Sequence, residues 1–145
     1  MTAIILAVAA VEAQIGIWTA IFRDTYHIDD DTLRKWRGMG TPDIVKDIFS
    51  RLKPPRTVGE LVSFQRLSAI VELRNHIAHY FPEFRKPGTW PERLLPYIQN
   101  GTLRPVGDDT MDWTSRLLVG DVAVQVVSYA TEFMREFAAS AWRAP

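Results

Sequence analysis

Two imidazoles, a guanidinium and a carboxamide crowd into six consecutive residues, Arg74-Asn75-His76-Ile77-Ala78-His79. An imidazole titrates near neutrality and can take or give a proton there. A guanidinium is permanently charged and presents its donors as a planar fork suited to oxyanions. Glu72, His76 and His79 also stand at i, i+4 and i+7, a spacing compatible with zinc ligands or half of a two-metal bundle site. That ligand set is incomplete: the one other histidine is His27, and no second Glu/His pair of this kind occurs. Three polar residues on a solvated face are the simpler reading, so no metal or other cofactor is expected. A Gly-rich phosphate loop, a Ser-His-Asp arrangement and a dinucleotide fingerprint are all missing.

The periodicity around the cluster predicts one amphipathic helix. With Glu72 at zero and about 100° per residue, Leu67, Ile70, Val71, Leu73, Ile77 and Ala78 form the core-facing arc. Gln65, Ser68, Glu72, Asn75, His76 and His79 gather opposite. Arg74 breaks the pattern, falling near the middle of the apolar arc at about 200°. A charge there needs a partner or an interface. Taken alone, Arg74 reads as a structural residue, ion-paired to a carboxylate on a neighbouring helix or reaching past the end of the bundle. Arg74 and His79 are separated by about 140° around a regular helix, so they flank a face rather than share it. A helix end distorted by Pro82, or a second copy across a dimer axis, could bring the two groups together.

Other elements must hold that helix. Thr57-Val58-Gly59-Glu60 reads as a capping box opening it, and Pro82 stops it at Tyr80 or Phe81. Before it, a nearly all-apolar helix runs from about Thr2 to Arg23, and such helices usually sit centrally in a bundle. A short turn of helix follows through Trp36, ended by Gly38-Met39-Gly40; then Thr41 as N-cap and Pro42 open a helix to about Leu52. Residues 82–113 are rich in Pro, Gly and Trp, with a short helix expected near Glu92–Gln99 and a turn at Asn100-Gly101. The last long helix, about Thr114 to Arg143, carries Leu117, Leu118, Val122, Val126, Tyr129, Phe133, Phe137 and Trp142 at helical spacing. Strand alternation and internal repeats are absent. The expectation is one all-α domain over residues 1–145, a small bundle of three or four main helices with an irregular excursion before the last.

Bulk properties narrow the classes. The chain has 145 residues, enough for a real core, with 47% hydrophobic and 23% charged residues. It contains no cysteine, which excludes disulfide scaffolds, thiol catalysis and cysteine-ligated zinc, and fits a reducing, cytoplasmic setting. Net charge is zero, but residues 50–105 carry nine basic against four acidic groups, between acidic flanks. Such a stretch can bind phosphate locally, although solvated surface is the commoner cause. No Lys or Arg precedes the apolar run Ile4–Val11, and the pattern continues past Glu12, so a bundle helix is expected rather than a signal peptide or membrane span.

Arg74-Asn75-x-x-x-His79, late on a helix of a small all-α chain, resembles the Arg-x4–6-His signature of the HEPN superfamily, in which a polar residue commonly follows the Arg. The resemblance is close over the motif and covers the rest in outline only: size, helical content and flanking long helices. It implies a bundle of four or five helices and a homodimer with both motifs near the two-fold axis. For active members it implies a metal-independent endoribonuclease acting on single-stranded RNA. The 2′-hydroxyl attacks the adjacent phosphate and leaves a 2′,3′-cyclic phosphate and a 5′-hydroxyl. On that pattern His79 is the acid/base, Arg74 the phosphate clamp and Asn75 a positioning partner, with His76, Tyr80, Arg85 and Lys86 the candidate substrate-binding residues. A toxin or defence role with a nucleotidyltransferase-type antitoxin is implied as well. In that branch a Tyr two residues after the His can be modified; here Phe81 holds the position and Tyr80 is its neighbour. The family also contains members that cut nothing, so a non-catalytic dimerisation, nucleotide-binding or protein-binding module is the alternative. The aromatics Phe81, Phe84, Trp90, Tyr97 and Trp113 could stack bases, though pinning the irregular segment to the bundle is the simpler role.

Overall fold

A computed structural model describes residues 1–79 and 87–142. Among these, all regular structure is helical: α1 (Thr2–Phe22), α2 (Asp30–Trp36), α3 (Thr41–Arg51), a 3-10 turn (Val58–Glu60), α4 (Phe64–Ala78), α5 (Leu95–Gln99), α6 (Trp113–Leu117) and α7 (Gly120–Ala141). The expected all-α class is what is found. The long helices α1, α4 and α7 form the body, with α3 laid against α4.

Hydrogen bonds fix the directions of the three long helices. Gln14 Nε2 donates to the Met134 carbonyl at 3.2 Å, and Trp18 Nε1 donates to the Ala141 carbonyl at 2.6 Å, so α1 and α7 run the same way. Ser63 and Arg66 near the start of α4 bond Glu136 and Glu132 of α7 in descending order, so α4 runs opposite to both. Between them lies a core of large side chains. Trp18 stacks on Tyr26 at 5.4 Å and meets the edge of Phe137 at 6.1 Å, while Phe133 and Phe137 stack at 5.7 Å. Trp18, Phe49, Phe133 and Phe137 are all fully buried. On α4 the apolar arc is buried from Leu67 to Leu73; Ile77 is half-buried and Ala78 is exposed, because the helix outruns its cover there.

Three helix starts differ from the sequence expectation. Thr41 lies inside α3, and Gly40 is the N-cap; the buried Thr41 hydroxyl instead donates to Glu12 Oε1 of α1 at 2.8 Å. The segment after Thr57 makes only the 3-10 turn, and α4 begins at Phe64. At its entry, Glu136 Oε2 accepts both the Ser63 backbone N–H (3.0 Å) and the Ser63 hydroxyl (2.6 Å), so the orphan amide is satisfied from α7. The final helix is broken at Leu118-Val119 into α6 and α7. Asp112 caps α6, accepting from the backbone N–H groups of Thr114 (2.9 Å) and Ser115 (3.1 Å). α4 ends at Ala78, where His79 leaves helical geometry (φ −109°, ψ 32°), short of the expected Tyr80 or Phe81, which lie outside the described residues.

The described part of the irregular segment, residues 87–113, is pinned to the bundle. Leu94 and Leu103 are fully buried, Gly101 turns the chain at φ +75°, and the Tyr129 hydroxyl donates to the Thr102 carbonyl at 2.8 Å. Trp113 is buried, and Trp90 lies half-buried under the Arg116 guanidinium at 4.7 Å. For Trp90 and Trp113 the packing role is the one observed, and Trp113 presents no face for base stacking; Phe81 and Phe84 lie outside the described residues.

Two measurements test this framework. Glu136→Ala should lower unfolding stability by about 1–2 kcal/mol, read from the denaturant midpoint, through loss of a charge-assisted cap. The Asp112 carboxyl is held down to about 2 by the Thr114 and then the Ser115 side-chain hydrogen bonds, against an ordinary 3.8. A depressed carboxylate stabilises the fold above the unfolded value and loses that contribution as pH falls through the folded one. Thermal stability should thus drop between pH 4 and pH 2, and Asp112→Asn should flatten that part of the profile.

Candidate functional site

Arg74 sits on the buried side of α4, as its place in the apolar arc requires, with its side chain 29% exposed. Nη2 donates to Glu12 Oε1 of α1 at 2.6 Å, and the same oxygen accepts the Thr41 hydroxyl of α3. One carboxylate oxygen thus ties three helices. Among the described residues the buried Arg74 Nε has no hydrogen-bond partner. Beside the cluster a shallow cleft of about 250 Å³ is lined by Glu12, Ile15, Met39, Thr41 and Ile44. Glu12 is the only charged residue in α1, and its position opposite Arg74 was not deducible from either helix alone. The available signal was a solitary carboxylate in an otherwise apolar helix.

His79 lies elsewhere. It is the exposed C-cap of α4, and its backbone N–H donates to the Asn75 carbonyl at 3.0 Å. Asn75 is half-buried. No hydrogen bond joins Arg74, Asn75 and His79 through their side chains among the described residues. The guanidinium is turned to α1 and α3, and the imidazole is exposed at the helix end, with no side-chain partner among the described residues. Among the described residues Arg74 and His79 share no hydrogen-bond partner. Tyr80, Arg85 and Lys86, the other candidate substrate contacts, lie outside the described residues, as do Phe81 and Phe84.

His76 is better held than His79. Its Nδ1 lies 3.0 Å from the Glu72 carbonyl and 3.3 Å from Glu72 Oε1, and its ring meets Trp113 edge-on at 6.4 Å. A carbonyl can only accept, so in the neutral ring Nδ1 carries the proton and Nε2 keeps a free lone pair. The side chain is 24% exposed, which leaves that nitrogen limited access to solvent. Arg93 approaches the same Glu72 oxygen at 4.0 Å from a mostly exposed position. Nearby, burial pushes the Tyr97 phenol up, and the Glu72 charge adds to the effect. His76 is about 200° around α4 from Arg74, so these two groups serve opposite sides of the helix. Among the described residues no three His, Asp or Glu side chains cluster as a metal site would require; Glu72 is taken up by His76 and Arg93.

The comparisons add no homologue to this geometry: no family model, no curated protein and no solved structure matches the chain.

The ion pair makes a direct prediction. Arg74→Met and Glu12→Gln should each cost about 1–2 kcal/mol, since each leaves a partly buried partner uncompensated. The double variant should cost less than the two single losses together, with about 1 kcal/mol of coupling in a denaturation cycle. Additive losses would mean the contact contributes nothing.

Proposed function

We propose that this chain is a HEPN-like, metal-independent endoribonuclease that cuts single-stranded RNA by 2′-hydroxyl attack. The observation that carries the reading is the exposed His79 imidazole at the C-terminal end of α4. Asn75 lies one helical turn behind it, and the Arg74 guanidinium is still partly open to solvent. An exposed imidazole free of side-chain partners can exchange a proton with a ribose hydroxyl or a leaving oxygen. Arg74 would offer its charge to a phosphate in competition with Glu12, which sets a cost on substrate binding that a free guanidinium would not have. A toxin or defence role, a nucleotidyltransferase-type partner and cytoplasmic residence belong to the same proposal. Of the described helices, α1 is long and apolar enough to cross a bilayer by length and composition, with a third of those positions buried in the bundle.

The Arg74–Glu12 pair favours a second reading, a non-catalytic helical module in which Arg74 serves the fold. Purified protein incubated with mixed single-stranded RNA in EDTA separates the two. The nuclease reading expects fragments ending in 2′,3′-cyclic phosphate and 5′-hydroxyl. It also expects a loss of about 100-fold or more for His79→Ala, the scale of a proton-transfer group, and a comparable loss for Arg74→Ala. An intact RNA pool with correctly folded wild-type protein selects the second reading.

A further inference from the structure

The reaction proposed above needs two proton carriers, and His79 is one. In-line displacement at phosphorus sets the attacking 2′-hydroxyl and the leaving 5′-oxygen on opposite sides, so one group takes a proton while another gives one. One imidazole cannot do both in a single step. The second group has to stand within a phosphate's reach of His79 and be held in a defined tautomer.

His76 meets both conditions. It precedes His79 by three residues, which on a helix places the two side chains about 60° apart, with Cβ atoms about 5–6 Å from each other. The spacing carries through to the C-cap, because the His79 N–H still donates to the Asn75 carbonyl at 3.0 Å. Nδ1 of His76 faces the Glu72 carbonyl at 3.0 Å and Glu72 Oε1 at 3.3 Å, so Nε2 carries the lone pair of the neutral ring. The edge contact with Trp113 is one that an apolar side chain could make equally well. It does not call for a carboxylate at Nδ1. A carboxylate at one ring nitrogen and a lone pair at the other is the arrangement of an oriented base.

We propose that His76 is the general base of this site and His79 its general acid. His76 Nε2 takes the 2′-hydroxyl proton, and the 2′-oxygen bonds to phosphorus. The bond from phosphorus to the 5′-oxygen breaks, and the His79 imidazolium gives that oxygen its proton. Exchange with water returns both rings to their starting states. The same side of α4 has its own cation for the phosphate: Arg93 Nη1 lies 4.0 Å from the Glu72 oxygen that faces His76, with its side chain 80% exposed. Arg74, about 200° around the helix from His76, serves the other side. Tyr97 belongs to the His76 side. Burial and the Glu72 charge keep its phenol protonated, so it adds a donor rather than a second negative charge. The inference rests on the ribonuclease reading and divides between two rings what that reading gave to one.

A leaving-group substitution separates the two roles. Bonds that the wild type cuts in mixed single-stranded RNA are mapped in EDTA, and a short RNA is made around one of them in two forms. One form is normal, and the other has sulfur in place of the 5′-bridging oxygen, so that a thiolate departs without needing a proton. On the normal form His76→Gln and His79→Ala should each slow cleavage by about 100-fold or more, with wild-type circular dichroism. Gln keeps an N–H for the Glu72 carbonyl; should that variant not fold, His76→Phe, which keeps a ring edge for Trp113, is read in its place. On the sulfur form His79→Ala should recover most of the wild-type rate while the His76 variant stays slow. A purely structural His76 would not produce that split. A His76 variant as fast as wild type on normal RNA, its rescue by sulfur, or a His79→Ala that sulfur does not rescue overturns the proposal and leaves the ribonuclease reading standing. A wild type that cuts no bond in the mixed RNA removes both.

Discussion

A single oxygen of Glu12 organises this bundle. An arginine placed among Leu67, Ile70, Leu73 and Ile77 cannot be buried alone, because the desolvation of its charge exceeds anything neighbouring apolar contacts return. The carboxylate that offsets it has to come from another helix, and it comes from the middle of α1. Glu12 in turn draws the Thr41 hydroxyl, which leaves Gly40 to open α3 without a side-chain cap. The angular positions of α1, α3 and α4 are thereby coupled through a polar contact in an otherwise apolar setting. Apolar packing alone tolerates rotation of one helix against another; a short charged hydrogen bond does not.

The legible part of the chain was whatever local period and punctuation control. α1, α3 and the apolar arc of α4 follow from the spacing of their apolar residues, and the boundaries of α1 and the end of α2 fall within a residue of expectation. The break between α6 and α7 was not legible, since Leu117, Leu118 and Val119 continue an apolar pattern across it. Nor was the start of α4, because Thr57-x-x-Glu60 satisfies a local rule while a residue 73 positions away supplies the contact that counts. At the site, the need of Arg74 for a carboxylate partner was readable from its place in the arc. The identity of that partner was not, since helix-to-helix register is a tertiary property.

The same distinction bears on the candidate chemistry. A short motif specifies residue types along one helix, and a helix spreads them around its circumference. Arg74 faces the bundle, His76 faces the irregular segment through Glu72 and Trp113, and His79 faces solvent at the helix end. Three groups with related chemistry therefore occupy three environments: one neutralised, one oriented and half-buried, one free. Any activity at this end of α4 must draw on groups separated by the helix's own curvature.

The Ser63–Glu136 contact also sets an order of assembly. The entry of α4 finds its hydrogen-bond acceptor on α7, and nothing local replaces it. While the chain is being made, the helix bearing Arg74 and His79 lacks that acceptor, and the neighbour α7 it packs against, until α7 has emerged. The first turn of the helix that carries Arg74 and His79 is thus secured only by a residue far later in the chain.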